Sequence, residues 1–125
     1  MTHIDTAPLS WIFPEIRVAA TEAQEALTKY RAAPNDVGSL HLSTNRVHHL
    51  HGALQILDIS GLSVVSEAIE ALLNRFDVEP ETATSTAIDA VDEALTAITV
   101  YCEELQAGSA HQPLRLFPYL RDLLT

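Results

Sequence analysis

The 125-residue chain has little of several things, and each shortage excludes something. It carries one cysteine, Cys102, so no internal disulfide can form and no thiolate cluster can hold a metal. It has 4 glycines and no glycine-rich phosphate loop, nucleophile elbow or kinase signature, so neither ATP chemistry nor acyl transfer is indicated. Residues 1–10 lack the basic start and apolar block of a secretory signal, and no apolar run reaches transmembrane length. A cytoplasmic location without membrane insertion is the expectation. Positive charge is also scarce: 7 Lys and Arg against 17 Asp and Glu give a formal net charge of −10. Such a surface disfavours phosphate backbones and anionic lipid, so no nucleic-acid partner is expected.

What is present reads as helix. The apolar fraction is 47%, enough for a packed core, and β-branched residues do not alternate with polar ones. The first eight residues are polar and are expected to be loose. Proline is tolerated in a first helical turn, so a first helix is predicted to begin between Ser10 and Pro14, near Phe13. Ile12, Ile16, Ala19, Ala23, Ala26 and Tyr30 then recur at three- and four-residue spacing. A second helix is predicted from Gly38 to Asp58, with Val47, Leu50, Leu54 and Leu57 as its apolar stripe. Ile59-Ser60-Gly61 connects to a third helix carrying Leu62, Val65, Ile69, Leu72 and Phe76. A fourth is predicted from Glu81 to Ala107, and a last apolar segment follows Pro113. Short connections make sequential helices antiparallel. The expected architecture is all-α: an up-down-up-down four-helix bundle with an additional C-terminal helical segment. Residues 1–125 form a single domain, expected to come from the N-terminus of a longer protein.

The charge is unevenly spread. From Val37 to Leu57 there is no Asp or Glu, whereas Asp58 to Glu104 holds 11 acids and one base, Arg75. The acid-free stretch contains His41, His48, His49 and His51, three of them within Val47-His48-His49-Leu50-His51-Gly52. A mid-helix glycine costs about 1 kcal/mol relative to alanine, so Gly52 calls for a compensating role. Clearing space beside an imidazole that a partner must reach is one.

At about 100° per residue, Val47, Leu50, Leu54 and Leu57 define a core-facing arc, and His48 falls far outside it. Thr44, Gly52, Gln55 and His41 share the His48 stripe. His51 lies at the core boundary, and His49 faces elsewhere. An imidazole in water is largely neutral and nucleophilic at pH 7. Phosphoryl transfer to it needs little else from this chain, because a partner can supply metal and positive charge. The bland reading is a surface histidine without chemistry. His48 and His51 are two imidazoles at i,i+3, too few for a metal site, so no metal and no cofactor are expected. His3, His41, His49 and His111 are assigned no chemistry.

At His48-His49-Leu50-His51-Gly52 the chain resembles the histidine phosphotransfer (HPt) domain, whose pattern is His-x-Leu-Lys-Gly on the second helix of a bundle. The resemblance implies that His48 is the phosphoacceptor, Leu50 the core leucine and Gly52 the clearance glycine. His51 replaces the usual lysine, and a histidine supplies positive charge only when protonated. The stretch Val47 to Gln55 with Ile59-Ser60-Gly61, followed by Val100-Tyr101 and Pro113-Leu114-Arg115-Leu116-Phe117-Pro118, is similar to the N-terminal region of CheA-like hybrid histidine kinases of type IV pilus and twitching-motility systems (ChpA or PilL type). It covers roughly residues 9–125. It implies a chemosensory phosphorelay in which CheY-like receiver domains and the kinase core of the parent protein are partners. Gly52, His51, Gln55 and Thr44 would line the docking face. Such a chain is a phosphotransfer intermediate with no ATP-binding part of its own. The alternative is a degenerate docking or dimerisation bundle, which the missing lysine favours.

Overall fold

The computed structural model describes residues 7–59 and 61–124; His3 and Ser60 lie outside the described residues. The described chain is all-helical and without strands: α1 (Ala7–Ala32), α2 (Val37–Leu57), α3 (Leu62–Val78), α4 (Ser85–Gln106) and α5 (Phe117–Leu124). One turn of 3-10 helix, Pro80–Thr82, precedes α4, and another, Pro113–Leu116, leads into α5. No described helix is long and apolar enough to cross a membrane.

Local chemistry sets the helix ends. The Asp36 carboxylate accepts the Ser39 N–H at 3.2 Å and the Ser39 hydroxyl at 2.7 Å, capping α2. Those two bonds, with a smaller contribution from Lys29, hold the Asp36 carboxyl below its ordinary range. At the other end Asp58 turns left-handed at φ 51°, and its N–H returns to the Leu54 and Gln55 carbonyls. Gly61 opens α3 at φ 92°, a left-handed backbone in which a side chain would be strained. Thr84 caps α4 by accepting the Ala87 N–H at 3.1 Å.

Two predicted boundaries move. The first helix begins at Ala7, not near Phe13, and Pro14 lies inside it. Pro8 sits in the first turn, where no N–H is required, and the burial of Leu9 and Phe13 carries the helix outward past Pro14. The fourth helix begins at Ser85 rather than Glu81, because Pro80 and the Thr82 hydroxyl, which donates to the Glu79 carbonyl at 2.7 Å, favour a tight 3-10 turn first.

α1 packs against α2 and α4; α3 packs against α2 and α4; α5 lies across α3 and α4. The core between them is apolar, with Ile16, Leu50, Leu54, Ile69, Leu73, Phe76, Leu95 and Ile98 removed from solvent. Polar bonds set the register. The buried Ser43 hydroxyl donates to the Ala23 carbonyl at 2.9 Å across α2 and α1. Arg31 meets Asp89 at 2.7 Å, and Gln24, two turns earlier on α1, reaches Thr96, two turns later on α4, at 2.9 Å. On the other side His41 faces Asp77 at 3.0 Å, His48 faces Glu70 at 2.8 Å and His51 faces Ser66 at 2.6 Å. Ascending α2 therefore descends α3.

The Val100-Tyr101 and Pro113–Pro118 segments meet where α5 is fastened. The Tyr101 hydroxyl accepts the Gln112 N–H at 2.6 Å and shares a hydrogen bond with His111 Nδ1. Burial pushes the Tyr101 phenol above its ordinary value. Arg115 stacks over the Tyr101 ring, 5.6 Å from its centroid, and pairs with Glu104.

Candidate functional site around His48

His48 sits in the middle of α2, pointing away from the core that Val47, Leu50 and Leu54 enter. Its side chain is 74% exposed. The ring does not hang free, because Nδ1 lies 2.8 Å from the Glu70 carboxylate on α3. A carboxylate can only accept, so Nδ1 carries the proton and the neutral ring keeps its lone pair on Nε2. One ring nitrogen is thus held by the fold while the rest of the ring faces solvent.

The neighbouring sequence-predicted residues are placed differently from one another. His51 is half-buried and turned to α3, where Ser66 receives its Nδ1–H. The Ser66 hydroxyl already donates to the Ser63 carbonyl at 3.0 Å, so toward His51 it accepts. Gln55 is exposed one turn beyond His51. Thr44, one turn before His48, is half-buried and spends its hydroxyl on the Leu40 carbonyl at 3.0 Å. Gly52 is half-exposed, and a Cβ built on it would meet nothing within 4 Å. Nothing inside the chain needs the missing side chain.

Gly52 belongs to a cleft of about 360 Å³ between α1 and α2, lined also by Ile12, Glu15, His48, Ala53 and Ile56. His49 joins this cleft to a second, of about 420 Å³, that continues along α1 past Val18 and Arg46. Thus His48 has two dissimilar flanks. Toward α3 it meets Glu70, with Glu67 and Asp77 on the same helix. Toward α1 it borders an apolar groove.

Glu70 is not singled out by the histidine motif, yet a signal for it exists in the sequence. His41 and His48 are seven residues apart on α2; Glu70 and Asp77 are seven apart on α3. Antiparallel helices pair them in reverse order, as observed. Sequence reasoning likewise misses the Arg46–Glu22 pair, which depends on the packing of α1 against α2 and has no local signature.

Among the described residues no group of three or more His, Cys, Asp or Glu side chains is arranged to hold a metal ion. Comparison with protein-family models, with curated proteins and with solved structures finds no match.

Proposed function

We propose that the chain is a histidine phosphotransfer domain, an up-down-up-down four-helix bundle with α5 as an added segment, working in a two-component or chemosensory phosphorelay. The observation that carries this reading is His48: mostly exposed, with Nδ1 tied to Glu70 so that Nε2 is the ring nitrogen left to react. In the forward step the Nε2 lone pair attacks phosphorus of a receiver's aspartyl phosphate. The Nε2–P bond forms as the acyl P–O bond breaks, and the aspartate leaves as a carboxylate. The proton stays on Nδ1, so the phosphorylated ring becomes cationic, and the Glu70 carboxylate faces that developing charge. Metal and positive charge at the moving phosphoryl group come from the partner. The likeness to hybrid kinases of type IV pilus systems suggests CheY-like receivers and a kinase core as partners, in the cytoplasm.

A second reading, a docking or dimerisation bundle without transfer, is favoured by one observation. His51 stands where the related pattern has lysine, and its Nδ1–H is already committed to Ser66. One experiment separates the two. The protein is incubated with a phosphorylated receiver, and acid-labile, base-stable phosphate is sought. Transfer predicts label on wild type and none on His48→Ala. Label that persists in His48→Ala removes the assignment, and receiver binding without any label supports the second reading.

A further inference from the structure

The described histidines differ in what awaits them on protonation. His41 and His48 face Asp77 and Glu70, so a proton on either ring strengthens a bond between α2 and α3. His111, in the connection from α4 to α5, meets a phenol instead. Its Nδ1 shares a hydrogen bond with the Tyr101 hydroxyl, and its Nε2 is shut off from water without a partner. Among the described residues no carboxylate pairs with it.

Few charged or titratable groups surround this ring. From α4 come Tyr101 itself and Glu104, whose carboxylate is already held by Arg115. From the connection comes Arg115, a cation stacked over the Tyr101 ring. Glu103 projects about 200° away from Tyr101 around α4, and Glu93 lies roughly 12 Å back along the helix axis. α3 meets the connection at Gly61, beside Pro113 and Leu116, and brings no charge there. A neutral imidazole suits this site in either tautomer. The phenol oxygen takes the Gln112 N–H at 2.6 Å and keeps its own proton, which burial favours. A protonated ring has no lone pair left. The phenol O–H then loses its imidazole acceptor, the buried Nε2–H has none, and a second cation joins Arg115 at one phenol. Buried polar groups left without partners favour any rearrangement that returns them to water.

We propose that His111 is an acid-released clasp: on taking up a proton it turns out to water, parts from Tyr101 and frees residues 113–124 from α3 and α4, while the four long helices stay together. The connection is built to permit this. Gly108 holds a left-handed backbone at φ 101° with open space around it, and Ser109 and Ala110 are exposed, so the pivot is unencumbered. Beyond the clasp, only Leu116 and Leu123 of the strap are buried. Mild acid therefore acts in opposite senses on the two sides of the bundle. It tightens α2 against α3 through His41 and His48 and loosens α5. The clasp does not depend on phosphotransfer at His48.

Nuclear magnetic resonance reads both halves of the clasp in one sample. The ring nitrogens of each histidine are followed from pH 8 to pH 5, the range in which imidazoles titrate. Amide exchange, corrected for the intrinsic effect of pH, gives the protection of α5 and of α1–α4 at each step. The expected result is a loss of α5 protection of about tenfold or more, with the midpoint of the His111 ring, while α1–α4 keep theirs. His111→Gln stays neutral and should hold α5 protected at pH 5. Tyr101→Phe removes the hydroxyl and should leave α5 loose at both ends of the range. If His111→Gln is loose throughout, wild type still decides, because its α5 must follow His111 and not His41 or His48. An α5 that stays protected while His111 takes up its proton overturns the clasp. So does a His111 ring still neutral at pH 5, or an equal acid loss in His111→Gln.

Discussion

The imidazole of His48 on α2 donates from Nδ1 to the carboxylate of Glu70 on α3 across 2.8 Å. This one contact selects a tautomer and, on the phosphotransfer proposal, places a negative charge behind the ring that would become cationic on phosphorylation. Glu70→Ala should therefore slow transfer without unfolding the bundle. A hydrogen bond to a charged group is worth about 1.5–3 kcal/mol. Solvent around the mostly exposed ring reduces it to about 1 kcal/mol, or roughly fivefold in rate. Glu70→Gln, which keeps an acceptor and removes the charge, should fall between. Rapid-quench measurement of phosphohistidine formation checks both variants. An unchanged rate in Glu70→Ala would reduce the contact to a surface pair.

Gly52 offers a cleaner separation of stability from function. A Cβ at this position meets nothing, so Gly52→Ala should stabilise the isolated protein by about 0.5–1 kcal/mol in denaturant titrations. Gly52→Gln should also fold, but its longer side chain fills the cleft beside His48 and should block transfer. Retained transfer in Gly52→Gln would contradict the access role. A loss of stability in Gly52→Ala would show that the open space is needed by the chain itself.

Much of the helical order is legible in the amino-acid pattern alone, for a physical reason. Val47, Leu50 and Leu54 repeat at helical spacing, and all three are fully buried; Leu57, at the end of the stripe, is half-buried. The same periodicity puts His48 outside the core arc, where it is found. What the pattern hides depends on partners distant in the chain. The outward extension of α1 follows from the burial of Leu9, which a periodicity beginning at Ile12 does not include. Glu70 requires the register between α2 and α3. The cleft beside Gly52 requires α1 laid beside α2.

The core assignment of α2 predicts a graded response. Leu54 is removed entirely from solvent, so Leu54→Ala should cost about 2–5 kcal/mol, a large part of the stability of a domain this size. Leu57 is only half-buried, and Leu57→Ala should cost less. Urea midpoints for the two variants check the order. An unchanged midpoint for Leu54→Ala would place that side chain outside the core.

Cys102 lies in the α4 face of the core, and burial pushes its thiol up to about 12. At pH 8 the native protein therefore holds almost no thiolate there and should resist a disulfide-exchange reagent, whereas the denatured chain should release one equivalent of colour. The same burial sets a sign for pH dependence. In the unfolded chain a cysteine ionises near 8.5, well below the folded value. The folded state keeps its proton longer, so stability is fully present below about pH 8.5 and is lost progressively as pH rises toward 12. Cys102→Ala removes this thiol and should flatten the Cys102 share of the alkaline loss. Rapid labelling of native protein at pH 8 would show instead that α4 opens at this position well short of global unfolding.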